Sequence, residues 1–457
     1  MNDTSRGASA TSACCAAPAE RCATVGPAPG CALRRWGRPK RNGLVTLDLV
    51  KVAEKLPALV ERAQRERKSY GLHRVRALAQ LRSAADQPEE FAALVQNADT
   101  SWQLAIPFVG RPDTGYDPPD PPDSFSVLAV DGSSIDVDRH LPVDCYVMNF
   151  GWMAIHYGAE PGAESGTEVD LQPTGEELFL RDNQDPSRES AIAGPVLAVV
   201  RSVRELATLA DHAEVLVTPG RPLLALVDGN LALWNLDKPE FPPSIADELK
   251  YGERGVIRAL NRLRDLASAG LVLFSGFVSR TGAGNLVHSL RLTVCPLHPQ
   301  VVCRNCPGLA ERTRPCDSVG LPSDREIMRE VLDPWQRSAV FKPWSRHRSR
   351  RGDDWYSDEG HEIVFFYLRA GDEIARIELP IWMAEDPLKL DLLHALLVHQ
   401  AQEGGEYPIA LQEAHEQAVI SGNDRVYFNA LVERQFELNG IPWVTSAKAL
   451  SKRVRLI

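Results

Sequence analysis

Two short apolar runs, each closed by an Asp-Gly pair, restrict the folds open to this chain more than any other feature. Phe125-Ser126-Val127-Leu128-Ala129-Val130 runs into Asp131-Gly132-Ser133-Ser134, and Leu223-Leu224-Ala225-Leu226-Val227 runs into Asp228-Gly229-Asn230. A short apolar run bounded by turn residues reads as a buried strand. Asp131 is therefore expected at a strand's carboxyl end, where the backbone turns, and Asp228 likewise. If the two strands lie side by side, their carboxylates converge on one edge of a sheet. Two carboxylates share a small site at high cost unless a cation sits between them. That is the geometry of a hard-metal site, and such sites commonly cut phosphodiesters. Asp-Gly after a strand is also an ordinary turn signal. Its recurrence after two apolar strands is what points beyond a turn.

At 457 residues, about two to three domains are expected. A chain with 44% hydrophobic and 25% charged residues has an ordinary globular composition. The net charge of -10 provides no global basic field, so any nucleic-acid contact must use local basic patches. No apolar run reaches the roughly 18 residues that span a bilayer, so neither a transmembrane helix nor a membrane partner is expected. Residues 1–42 are rich in Ala, Pro, Gly and Ser and lack apolar periodicity, and are expected to be disordered. Cys14, Cys15, Cys22 and Cys31 lie there at irregular spacing. No continuous apolar signal core accompanies the cysteines, which makes a reducing, cytoplasmic location the expectation.

Residues 43–106 read as a helical region, broken near Pro57, with Leu49, Val52, Leu56, Leu59 and Val60 at helical spacing. Residues 107–123 hold six prolines and two glycines up to Pro122 and are expected to form a linker. Residues 124–457 then form the main domain. Strands are expected at Phe125–Val130, Val143–Tyr157 and Glu177–Arg181, a helix at Ile192–Asp211, a strand at Leu223–Val227, a helix at Ile245–Ala269 and a strand at Leu271–Val278. Three strands in succession, then helix, strand, helix, strand, is the order of an RNase H-like sheet: an α/β mixed sheet with flanking helices. Its crossovers between parallel strands are right-handed. Further on, a hairpin is expected around Gly371-Asp372, followed by three helical segments.

A two-metal phosphoryl-transfer site needs about three or four carboxylates. Glu205, on the helix between the two Asp-Gly strands, is the candidate for the third. Tyr407 and His415 stand eight residues apart, a little over two helical turns, and share a direction if a helix starts near Pro408. A tyrosine can orient a phosphate or an attacking water, and a histidine can ligate a metal or move a proton. From spacing alone, a solvated Glu205, a capping tyrosine and a packed histidine remain open.

Asp131-Gly132-Ser133, Asp228-Gly229, Ser275-Gly276-Phe277-Val278-Ser279-Arg280, Arg376-Ile377-Glu378-Leu379-Pro380 and the Tyr407-Pro-x-x-Leu-x-x-Ala-His415 segment together resemble the NurA nuclease family. The resemblance spans roughly Phe125 to Ile457. It implies an RNase H-like core, a homodimer and a manganese-dependent (or magnesium-dependent) DNA nuclease. The implied activity is that of a single-strand endonuclease and 5'-3' exonuclease. It also implies a HerA-like hexameric ring ATPase as partner, in DNA end resection and double-strand break repair. Carried over residue by residue, it assigns Asp131, Glu205, Asp228 and His415 to the metal and adds Tyr407 to the catalytic set. No short motif fixes Glu205.

Two features stand apart from the family pattern. Cys295, Cys303, Cys306 and Cys316 form a small Cys-rich insertion, 295–316, in which Cys303-x-x-Cys306 is a chelating turn. Zn²⁺ is the favoured occupant, with an Fe-S cluster as the alternative. Arg346, Arg348, Arg350 and Arg351 lie close in sequence to Trp344, Trp355 and Tyr356, a composition suited to holding a phosphate backbone and stacking bases. The reading from another class is a non-catalytic DNA-binding or adaptor subunit that keeps the RNase H-like scaffold.

Overall fold

A computed structural model describes residues 48–138, 141–172, 178–182, 185, 187–238, 241–270, 272–311, 313–321, 323–345 and 354–442. The expected disordered segment 1–42 and the basic cluster Arg346, Arg348, Arg350 and Arg351 lie outside them. Contacts divide the chain into two compact units, one ending at Arg62 and one running from Ala63. In the first, helix α1 spans Leu49–Ala53 and helix α2, Leu56–Asp86, begins. Pro57 falls in the first turn of α2, where its missing N–H is harmless, so the expected break occurs there. Leu49, Val52, Leu56, Leu59 and Val60 are all exposed.

The second unit is built on a sheet of nine strands. They are β1 (Leu104–Val109), β2 (Phe125–Ile135), β3 (Tyr146–Tyr157), β4 (Gly162–Gln172), β7 (Leu223–Asp228), β8 (Val272–Val278), β9 (Val340–Trp344), β10 (Ile363–Ala370) and β11 (Glu373–Pro380). Two short strands, β5 (Phe179–Arg181) and β6 (Glu189–Ala191), pair separately as a ribbon. The sheet order is β1-β9-β10-β11-β8-β7-β2-β3-β4. Strands β2, β3 and β4 form an antiparallel meander. Helix α4 (Pro195–Leu216) then crosses to β7, which pairs parallel with β2, and helix α6 (Val256–Ser268) crosses to β8, parallel with β7. This is the RNase H-like arrangement expected from element order. Strands β9, β10, β11 and β1 extend it, with Gly371 (φ 60°) making the β10–β11 turn.

Three sequence expectations need correction. The third strand of the meander is β4, and the expected strand at Glu177–Arg181 belongs to the small ribbon, with Glu177 outside the described residues. Strand β4 reads Gly-Ala-Glu-Ser-Gly-Thr-Glu-Val-Asp-Leu-Gln and is almost wholly exposed, so it has no apolar signal to find. Its charges suit a sheet edge, where they discourage pairing with another chain. The single helix expected at Ile245–Ala269 is two, α5 (Pro243–Tyr251) and α6. They break at Gly252 and Gly255, where an added Cβ would lie 2.4 Å from Glu248 O and 2.8 Å from Gly252 N respectively. Finally, the proline-rich stretch begins inside β1, at the other sheet edge, where Pro107 is tolerated. Tyr116 exchanges backbone hydrogen bonds with Arg337. Helices α2 and α3 (Pro88–Asn97) share a core with β1 and β10 through Leu81, Phe91, Leu104 and Phe365.

Strands β2 and β7 are buried on both faces, as parallel strands under helices are. Leu128, Val130, Ala225 and Val227 pack against α4 and α6. Val127, Ala129, Leu224 and Leu226 pack on the opposite face against helices that follow the hairpin, where Leu393, Leu397, Leu411 and Ala414 are buried. Helices α7 (Asn285–Thr293), α8 (Arg325–Val331) and α9 (Trp355–Asp358) precede the hairpin, and α10 (Ile381–Ala384), α11 (Pro387–Glu403), α12 (Ile409–Ala418) and α13 (Gly422–Leu438) follow it.

One buried histidine ties the two halves of the core together. Trp382 Nε1–H donates to His361 Nδ1 at 3.1 Å, so Nε2–H faces Asn261 Oδ1 at 3.0 Å and the ring is neutral. Burial, and then Arg264 nearby, hold its pKa down at about 4. The unfolded chain therefore binds the extra proton between about pH 6.5 and 4. The contribution of His361 to stability is full above that window and is lost as pH falls through it. In urea unfolding, the loss of stability between pH 7 and 5 should be smaller in His361→Gln than in wild type by on the order of 2 kcal/mol. Equal losses in the two proteins would show that His361 titrates alike folded and unfolded.

Candidate active site

The parallel pairing of β2 with β7 runs from Ser126↔Leu223 to Val130↔Val227 and stops. Asp131 and Asp228 are the next residues on each strand. They follow the residues of the second face, Ala129 and Leu226, so both carboxylates leave the sheet on the side of α12. Asp131 is not at a chain turn, contrary to expectation. Strand β2 continues to Ile135 against β3, with Asp131 opposite Gly151 and Gly132 opposite Phe150. Only the second pair makes a turn: Gly229 has φ 106°, and its N–H donates to Phe277 O.

Glu205 comes from the other side of the sheet, on α4. It is buried. What admits it is Gly132: a Cβ there would stand 2.4 Å from Glu205 Oε1 and 3.1 Å from its Cγ and Cδ. The glycine of the first Asp-Gly pair therefore serves close approach rather than a turn. Arg201, one turn before Glu205, places Nε 3.0 Å from Oε1, although neither atom makes a well-directed hydrogen bond. Burial, opposed by Arg201 and reinforced by Asp131 and Asp228, pushes the Glu205 carboxyl up to about 8. The Asp228 carboxyl is also raised, by desolvation of the group and then by Asp131, even though part of the residue remains open to solvent.

Tyr407 and His415 complete the group from above. Pro408 caps α12, so the helix begins where the spacing predicts. His415 Nδ1 lies 2.7 Å from Asp131 Oδ2. The Tyr407 hydroxyl donates toward Asp228, and burial followed by that carboxylate raises its pKa. Its ring packs edge-on to Phe277 of β8. Helix α12 comes this close because Gly151 has no side chain, an added Cβ falling 2.4 Å from both Ala414 O and Ala418 N. The amide of Asn149 donates to Ala418 O at 2.8 Å, and the Ser133 hydroxyl donates to the same carbonyl. These contacts fix the end of α12, and with it His415 against Asp131.

The five candidates thus meet at one place. A cavity of about 380 Å³, lined by Arg201, Ser202, Glu205, Asp228, Asn230 and Asn235 among others, opens beside them. A larger groove between α4 and α6 is lined by ion-paired charges, among them Asp211 with Arg262 and Arg254, and lies away from the carboxylates. The donor set suits a divalent cation: hard oxygen ligands, and a buried glutamate whose charge is disfavoured until a cation offsets it. As the side chains stand, no three His, Cys, Asp or Glu groups among the described residues are placed to hold an ion.

Two other groupings bear on function. The four cysteines of the insertion are free thiols. The pKa of Cys295 is raised by burial and then by Cys316, Cys303 and Cys306, which places the four in one neighbourhood. The second grouping escaped sequence reasoning. Arg67, Arg280, Arg325 and Arg329 line one basin with Asp372, Glu373 and Glu406. Arg280 is held at φ 43° by Glu373, which accepts from its backbone N–H and from Ser279 Oγ. The arginines come from three distant segments, so no local run announces them.

Sheet order and carboxylate cluster together define a nuclease of RNase H-like architecture. The NurA domain matches residues 125–420, and the chain belongs to the NurA family of nucleases. Nucleic acid is the substrate class of that family. No curated protein matches the chain significantly. Among solved structures, one titled "Crystal structure of NurA" is similar at 15% identity, with 69% of this chain and 90% of that chain covered and a TM-score of 0.30. No helix among the described residues is long and apolar enough to cross a membrane.

Proposed function

We propose that the chain is a metal-dependent deoxyribonuclease, acting as a single-strand endonuclease and 5'-3' exonuclease. The observation that carries this reading is the convergence of Asp131, Glu205 and Asp228, drawn from both faces of the sheet, beside Tyr407 and His415. Asp131, Glu205, Asp228 and His415 would hold Mn²⁺ or Mg²⁺. Bound there, the ion supplies Lewis acidity and lowers the pKa of water. The protein's own groups do the rest. Asp131 orients His415, whose open Nε2 is the atom left either to ligate the ion or to carry a proton. Tyr407, anchored by Asp228, is placed to position a phosphate. The arginine basin provides cationic contacts for a polyanion independently of the net charge of -10. The family resemblance supports a homodimer working in the cytoplasm with a HerA-like ring ATPase in DNA end resection and double-strand break repair.

The test is cleavage of end-labelled single- and double-stranded DNA with Mn²⁺, Mg²⁺ or EDTA, in wild type and Asp131→Ala, with and without the ATPase. Metal-dependent cutting lost in the variant supports the enzyme. DNA binding without cutting under every condition would favour the adaptor reading instead.

We propose further that Cys295, Cys303, Cys306 and Cys316 take one zinc ion, four thiols in one neighbourhood being a suitable donor set. An Fe-S cluster is the alternative with the same ligands. Elemental analysis of anaerobically purified protein should find zinc near one per chain, lost in Cys303→Ser. Iron with sulfide would substitute the cluster, and neither metal would remove the site.

A further inference from the structure

A second chamber, of about 490 Å³, adjoins the catalytic cavity. Asn230, Ala232 and Asn235, on the loop after β7, line both, so the two spaces meet along that loop. The second is walled by Gln103, Thr281, Ala283 and Asn285, with Pro343 and Ile363 as its apolar part. Among the described residues its charged lining is Arg376 and Glu378, and they are committed to each other. Arg376 Nε and Nη2 each lie 2.9 Å from Glu378 Oε1. Glu378 Oε2 accepts from the N–H groups of Leu231 and Ala232 at 2.9 and 3.2 Å. Arg376 also donates to Asn285 Oδ1 and lies over the Phe365 ring. The pair thereby pins the shared loop and leaves the described lining without net charge.

A neutral space rich in amides does not suit a phosphate. The amides of Asn230 and Asn235 present donor and acceptor together, which is what the edge of a heterocyclic base requires, and an apolar wall suits its faces. The volume falls within the roughly 300–1,000 Å³ usual for small-ligand sites. The neighbouring carboxylates are where a phosphodiester would be held. We propose that this chamber receives the unpaired base of the nucleotide next to the scissile phosphate. The inference rests on the nuclease reading and adds to it a substrate subsite, with single-stranded or frayed DNA as the form able to enter.

The experiment walks one abasic residue across a fixed cleavage position in single-stranded DNA cut with Mn²⁺. In the wild type, kcat/KM should fall about tenfold, or about 1.4 kcal/mol, for an abasic residue at one flanking position and little elsewhere. In Ala283→Phe, which fills the chamber, that dependence should vanish. Gln103→Ala, a change at an exposed position, should reduce the dependence about threefold. Cutting by wild type that ignores the abasic residue at every position overturns the chamber's role and leaves the nuclease intact. Failure of wild type to cut any DNA, with or without the ATPase, rejects the nuclease reading, and the subsite falls with it.

Discussion

Asp228→Asn is expected to abolish metal-dependent cleavage while leaving the metal-free protein at least as stable as wild type. Asp228 lies beside Asp131, and desolvation followed by that like charge raises its carboxyl pKa. Without a cation, its negative charge therefore opposes folding locally. Asparagine keeps the size and an acceptor for Tyr407 but removes that charge. Loss of activity should exceed about 100-fold, because changes to groups behind a metal ligand already cost 10–100-fold. Thermal unfolding with EDTA should give an unchanged or higher Tm. Added Mn²⁺ should then raise the Tm of wild type but not of the variant, since binding to the folded state alone stabilises by mass action. A variant that cuts at more than a tenth of the wild-type rate would remove Asp228 from the site.

The carboxylates were legible because the runs that present them are unambiguous. Val127 to Val130 and Leu223 to Val227 are apolar without alternation, which is what burial on two faces demands. Where a strand has no buried face the signal disappears, as in β4. Pro107 reads as a linker because proline breaks ladders, yet an edge strand spares the N–H it lacks. Glu205 was found only from its place on the crossover helix. The contact that admits it passes through Gly132, and a glycine kept for close approach looks in sequence like a glycine kept for a turn. Gly151 is silent for the same reason. Its role becomes visible only when α12, more than two hundred residues later, is laid across β3.

That reading of Gly132 has its own consequence. Gly132→Ala should cost about as much activity as Glu205→Gln, although no carboxylate is altered. The new methyl group would occupy the space of Glu205 Oε1, and β2 is held on both sides near this point, by β3 throughout and by β7 up to Val130. The strand cannot readily retreat, so the flexible end of Glu205 must. Folding stability should change by less than about 1 kcal/mol. Gly132 does not have positive φ, and alanine restricts the unfolded chain more than glycine does. The double variant decides the matter. If Gly132 acts only by admitting Glu205, Gly132→Ala adds nothing to Glu205→Gln, and the two losses are strongly non-additive. Additive losses would mean that the methyl group disturbs Asp131 or the strand itself. Full activity in Gly132→Ala would place the working position of Glu205 somewhere other than against this glycine.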